Sequence, residues 1–297
     1  MSKRRLRGSA RAPRSTAGGP TAPREASRGP ALAALGLILV AALWLQRAAL
    51  TAPFFADDFL FLDQVRDRPL AAVLVASDPI GNFVRPVGRQ LAFWVLERLG
   101  GGSPAAFHAF TLALFAASLA LLFAIARRVA GTRAAVVASA FLALHYAADV
   151  PLLWASGTQD LMALTGALGA IALFLAGRRA WAAAALLAAL LSKETVLFTP
   201  LIAALAARRP DERWSTALAR AWPLGVAVVA WAVLWVAAAA TAPAHAHPLS
   251  FSPGAVAAAF VHLFQVALGL EWRPGAASRV FGSVPPLVPF ALALAGV

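Results

Sequence analysis

Two stretches of the chain leave little choice of fold: residues 105–126 and 161–176 contain no Asp, Glu, Lys or Arg. Crossing a bilayer takes about 20 apolar residues in a helix. Inside lipid each backbone N–H and C=O must find its partner within the same segment, so runs of this kind become helices. Similar runs recur at 31–50, 134–147, 180–191, 195–207 and 221–241. With 61% hydrophobic residues and a mean hydropathy of +0.74, the chain exceeds the roughly 45–50% apolar content of soluble domains. A soluble core of 297 residues cannot hide that surplus, whereas lipid accepts it. The predicted fold class is all-α: a polytopic membrane helix bundle of about seven to eight transmembrane helices, with a long first outer loop (51–104) carrying amphipathic interfacial helices. A second large outer loop is expected at about 242–283. Within it, residues 254–270 read as an interfacial helix, with a span as the alternative. Residues 287–297 start another apolar run too short to cross about 30 Å at 1.5 Å per residue, so the chain reads as C-terminally truncated.

The formal charge of +13 would suit a nucleic-acid partner, but its distribution points elsewhere. Residues 1–30 hold eight Lys or Arg and one Glu, in an Arg-, Ser-, Gly- and Pro-rich setting that reads as a disordered basic cytoplasmic tail. The other basic residues form short clusters between apolar runs: Arg127, Arg128 and Arg133, then Arg178 and Arg179, then Arg208, Arg209, Arg213 and Arg220. Positive charge of this kind marks cytoplasmic turns. The resulting topology puts the N-terminus inside and leaves only Glu25, Asp211 and Glu212 of the 13 acidic residues on that side. The expected location is the plasma (inner) membrane, with no nucleic-acid partner. The absence of cysteine excludes disulfides, thiolate metal sites and cysteine nucleophiles. No internal repeat of the kind that marks many transporters is present.

Ionisable groups near membrane depth are costly and usually functional, and here they gather toward the outer side. Asp57 and Asp58 stand between Phe54-Phe55-Ala56 and Phe59-Leu60-Phe61-Leu62. Desolvation and mutual repulsion make a carboxylate more basic, which suits a general base. Asp is also a common helix N-cap, and both readings stand. Arg85-Pro86 lies in the same loop, where a guanidinium in a restricted turn could fork onto a phosphate or simply lie at the surface. In 87–99, Val87, Leu91, Trp94, Val95 and Leu99 fall on one helical face, with Arg89, Gln90, Glu97 and Arg98 largely on the other. That face suits the membrane surface or packing on the rest of the protein. Lys193 and Glu194 interrupt an apolar run, either as an ion pair that lets helices turn or as a phosphate contact by Lys193 steered by Glu194. His108, Gln159 and Asp160 sit at outer ends of spans, and His145-Tyr146 and Trp154 share their layer. His245 and His247 alone do not define a metal site.

Taken in order, these pieces resemble the GT-C superfamily of membrane glycosyltransferases, in particular its protein O-mannosyltransferase-like and aminoarabinose-transferase-like branches. The match covers roughly residues 31–210. The resemblance implies an enzyme that moves a sugar from a polyprenyl-phosphate donor to an acceptor hydroxyl on a protein, lipid or glycan, at the outer or periplasmic face, with inversion. It implies Asp57 as the base and Asp58 as its acidic neighbour. It implies a lipid-phosphate and donor site drawn from Arg85, His108, Gln159, Asp160, Lys193 and Glu194. No cofactor is required; a divalent metal is compatible with the chemistry, but nothing in the sequence indicates one. Where some relatives carry an Arg just before the acidic residue that opens the fourth span, this chain has Thr158-Gln159 before Asp160, so its phosphate-binding set differs. The alternatives are a non-enzymatic transporter or flippase of lipid-linked sugars, and an inactive fragment.

Overall fold

A computed structural model describes residues 28–76, 79–80 and 84–240, together with a few single positions between 252 and 263. Residues 1–27, the 81–83 part of the first loop, His245 and His247, most of 254–270 and the final run at 287–297 lie outside the described residues. The described residues are helical, with no strand.

The first helix, α1 (Arg28–Leu45), ends in a 3-10 turn at Arg47–Thr51. The first loop then folds into α2 (Asp58–Val65), α3 (Leu70–Leu74), a π-helical turn (Pro86–Leu91) and α4 (Ala92–Gly100). Next come α5 (Pro104–Leu144), α6 (Asp149–Leu153), α7 (Thr158–Leu175), α8 (Arg179–Leu190), α9 (Thr199–Ala207), α10 (Trp214–Arg220) and α11 (Trp222–Ala240). Three helical segments are long and apolar enough to cross a membrane: Gly29–Thr51, Pro104–Leu144 and Ala155–Leu175. The pair α10 and α11, bent by 61°, makes a fourth if the two are one broken span. The remaining apolar helices, Arg179–Leu190 and Glu194–Ala207, are shorter.

The 41 residues of α5 do not run straight. Gly131 inside it has φ 88° and ψ 178°, a region essentially closed to residues with a Cβ. The hydroxyl of Ser139 reaches the carbonyl of Leu119 at 3.4 Å, although in a straight helix 20 residues span about 30 Å. Phe123 packs with Ala135, and Phe115 with Ala143, so α5 is a helical hairpin closed at Gly131. The turn falls between Arg128 and Arg133, where the clustered arginines predicted a reversal. Replacing Gly131 with Ala forces this backbone into strain. It should lower stability by about 1–3 kcal/mol, read as a reduced melting temperature of the full chain in detergent.

Helix α7 ties the bundle together. Leu161, near its start, joins a core with Ala42 of α1 and Leu112, Phe115 and Leu119 of α5. Ala170, Ile171 and Phe174, near its end, join a second core with Leu186 and Leu190 of α8, Ala203 of α9 and Leu224 of α11. A third core, built from Phe61, Val65, Val73, Phe93 and Phe107, seats α2, α3 and α4 on the start of α5. Outward-facing large apolar side chains line α1 (Leu37, Val40, Trp44), α9 (Leu201, Ile202, Leu205) and α11 (Val229, Val233, Val236). In water such a belt would drive aggregation; against lipid tails it costs nothing. Helix length, composition and this belt together identify a membrane protein.

The 87–99 segment is rotated from its expected orientation. Arg89 and Gln90, assigned to the polar face, are buried with Ala92, Phe93 and Leu96, while Leu99 is 81% exposed. Arg89, Ala92, Phe93 and Leu96 keep the i, i+3, i+4, i+7 spacing of one helical face. The face that packs is the one carrying Phe93 and Leu96, which join Phe61, Val65 and Phe107 in the third core, and Arg89 is drawn in with it over the Phe61 ring.

Candidate active site

The end of the bundle where α7 begins gathers the polar side chains of the chain's apolar half. Asp58 is fully buried. Its Oδ2 accepts from the backbone N–H of Phe55 at 3.1 Å. Its Oδ1 accepts from the backbone N–H of Ser156 at 2.8 Å and from the Ser156 hydroxyl. A carboxylate removed from water must be met by donors, and these three meet it. They also fasten the first loop to the 3-10 turn Ala155–Gly157 that leads into α7.

From Ser156 the network continues. Gln159 Nε2 donates to the Ser156 carbonyl at 3.1 Å, and Gln159 Oε1 accepts from Arg85 Nη1 at 3.2 Å. Arg85 Nε donates to Glu194 Oε2 at 2.9 Å, and Arg85 Nη2 pairs with Glu194 Oε1. The fork thus closes on a carboxylate in the bidentate geometry that suits guanidinium best. Burial works against the charge on Glu194, and the Arg85 fork offsets it. Lys193 donates to Asp160 Oδ1 at 2.6 Å. The two neighbours that sequence reading placed in one pair therefore have separate partners, one in the first loop and one on α7.

The π-helical turn delivers Arg85 to this place. The Val87 N–H donates to the Leu191 carbonyl at 3.1 Å. Gly88 lies so close to Ser192 that an added Cβ would stand 2.7 Å from its Cα. Gly88→Ala must therefore push the turn off the end of α8, and with it Arg85 away from Glu194. The expected cost is about 1–3 kcal/mol of overpacking, measured as a lower melting temperature.

His108 is fully buried at the start of α5. Its Nδ1 lies 3.0 Å from the Leu152 carbonyl, which only a protonated nitrogen can satisfy, and the backbone of Ala52 also lies within reach of the ring. The ring lies within electrostatic reach of Asp58 and supports the floor beneath it. Asp57 differs from its neighbour. It is half-buried at the N-cap position of α2, yet its side chain makes no cap hydrogen bond. Beside it, Phe55 stacks on Trp154 with centroids 6.0 Å apart, and Phe59 is 59% exposed. An accessible carboxylate thus stands at an aromatic edge, next to a buried one already saturated with donors.

Of the predicted residues, Asp57, Asp58 and Arg85 lie in the first loop, His108 at the start of α5, Gln159 and Asp160 at the start of α7, and Lys193 and Glu194 just past the end of α8. Sequence reading missed Ser156, through which Asp58 reaches the rest. A serine two residues before a helix start carries no signal of its own. Among the described residues no three His, Asp or Glu side chains cluster closely enough to hold a metal ion. Comparison of the chain with protein-family models, with curated proteins and with solved structures found no match.

Proposed function

We propose that this chain is a glycosyltransferase of the GT-C kind, moving a sugar from a polyprenyl-phosphate donor to an acceptor hydroxyl at the non-cytoplasmic face. The observation that carries the reading is the accessible carboxylate of Asp57, which makes no cap hydrogen bond, one residue from Asp58, which Ser156 and Gln159 link to Arg85. Asp57 takes the proton of the acceptor hydroxyl as that oxygen attacks the anomeric carbon. The bond from that carbon to the phosphate oxygen breaks, and the polyprenyl phosphate leaves with the electron pair, giving inversion in a single displacement. Cations placed where charge develops on the leaving phosphate stabilise this step.

The geometry sharpens which cation does so. Arg85 is committed to Glu194 and Gln159, so we assign it a positioning role. Lys193 gives one N–H to Asp160, and an ammonium has three, which makes Lys193 the stronger candidate for the phosphate. Asp58 and His108 build the floor beneath Asp57. The finer topology of seven to eight crossings belongs to the same reading. It counts the two arms of α5 separately and takes α8 and residues 194–207 as a short pair of crossings. The polar layer lies opposite the arginine clusters, and the positive-inside rule then turns it away from the cytoplasm.

The layer lies at one end of the bundle rather than at mid-depth, which favours an enzyme over a transporter, whose sites sit near the bilayer midplane. The test is a membrane assay with a panel of labelled polyprenyl-phosphate sugars. Transfer of label from one of them to an acceptor supports the proposal. Movement of the intact lipid-linked sugar across reconstituted vesicles, with no transfer from any donor, would replace it with the transporter reading.

A further inference from the structure

At the opposite end of the bundle, where α7 and α9 finish, lies a cavity of about 500 Å³ lined by Arg128, Arg179, Arg208, Arg209 and Arg220, with Leu205 on its apolar side. Among the described residues no acidic side chain lines it. Five guanidiniums around one small volume repel one another, and they cannot be deprotonated to relieve it.

Part of this charge has a local use. Arg128 donates to the last carbonyl of α7, Leu175, at 2.7 Å, and Arg220 to the last of α9, Ala207, at 3.3 Å. Cations at helix C-termini are favourable there. Arg208 donates to the Glu212 carbonyl at 3.0 Å, and Arg220 pairs with the Glu212 carboxylate at 2.6 Å. The remainder goes beyond capping. Among the described residues the Arg179 and Arg209 side chains make no hydrogen bond or ion pair, and the Nε of Arg220 is buried with no hydrogen-bond partner. Three exposed indoles, Trp181, Trp214 and Trp222, open α8, α10 and α11 at this same end. Tryptophans of this kind sit at headgroup depth, and basic pockets between helices at that depth suit anionic headgroups.

We propose that this cavity is a binding site for the phosphate headgroup of an anionic membrane lipid. The phosphate would lie between Arg179, Arg209 and the free edge of Arg220, with the acyl chains running out past Leu205 along the lipid-facing side of α9. The site is separate from the candidate active site, and the proposal stands whether or not the chain transfers sugars.

The test uses the full chain in uncharged detergent, titrated with phosphatidylglycerol, phosphatidylcholine or inorganic phosphate, with bound molecules counted by native mass spectrometry. The expected result is one phosphatidylglycerol retained per chain, at least ten-fold tighter than phosphatidylcholine. The double variant Arg179→Gln/Arg209→Gln should weaken that binding at least ten-fold with its helical circular dichroism unchanged, whereas Lys193→Ala should leave it intact. Equal retention of the two lipids, or loss in Lys193→Ala with retention in the arginine variant, would overturn the proposal. Displacement of the lipid by an equal concentration of inorganic phosphate would do so too, by assigning the cavity to free phosphate.

Discussion

Asp57→Asn should lower the rate of sugar transfer by about 10²–10⁴-fold, the range that a positioned general base contributes. Donor binding and thermal stability should stay close to those of the wild type. The amide keeps the shape of the side chain and removes only its ability to take a proton. Asp57 makes no side-chain cap bond at the start of α2, so no structural hydrogen bond is lost, and a substitution of this kind usually costs within about 0.5 kcal/mol. The choice of Asn also separates the two readings of the residue. Asn caps helices as well as Asp does, so a residue acting only as a cap would leave both activity and stability unchanged. Single-turnover transfer and a melting curve on the same preparation decide the matter. Full activity in the Asn variant would remove Asp57 from the chemistry.

How much of this arrangement was legible in advance follows from the range of the interactions. The helices were readable because their signal is local: an apolar run without charge forms a helix whatever it packs on. The reversal inside α5 was readable for the same reason, since Arg127, Arg128 and Arg133 break the apolar run around Gly131. The orientation of 87–99 was not, because both of its faces carry large apolar side chains, and whether the Leu91 and Val95 side or the Phe93 and Leu96 side packs is decided by the first-loop helices it meets. The partners of Lys193 and Glu194 were also out of reach. Glu194 bonds across 109 residues to Arg85 and Lys193 across 33 to Asp160, and adjacency in sequence suggested that they pair with each other. Spacing along a chain speaks about one helix or one turn. Which carboxylate meets which cation across a bundle is decided by how the helices stack.

The same limit applied to the acidic pair, and there it has a measurable consequence. Asp57 and Asp58 are neighbours of equal appearance in the sequence, and the fold gives them opposite surroundings. Removing the Asp58 side chain with Ala should strand the N–H of Phe55 and both the N–H and hydroxyl of Ser156. Each of the two buried Ser156 donors costs about 1–3 kcal/mol when abandoned, so a loss of about 2–6 kcal/mol is expected, against a typical total stability of about 5–15 kcal/mol. Asp58→Asn should cost less. Its carbonyl oxygen can still take the Ser156 donors, while its NH₂ then faces the Phe55 N–H, where two donors meet. The predicted order of melting temperature in detergent is therefore wild type and Asp57→Asn together, then Asp58→Asn, then Asp58→Ala. Because Ser156 links Asp58 through Gln159 to Arg85, the Asp58 variants should also loosen the turn carrying Ser156. Its amide should then exchange hydrogen faster than in the wild type. If Asp58→Ala melted with the wild type, the buried carboxylate would not be what fastens the first loop to α7, and the distinction between the two aspartates would fall with it.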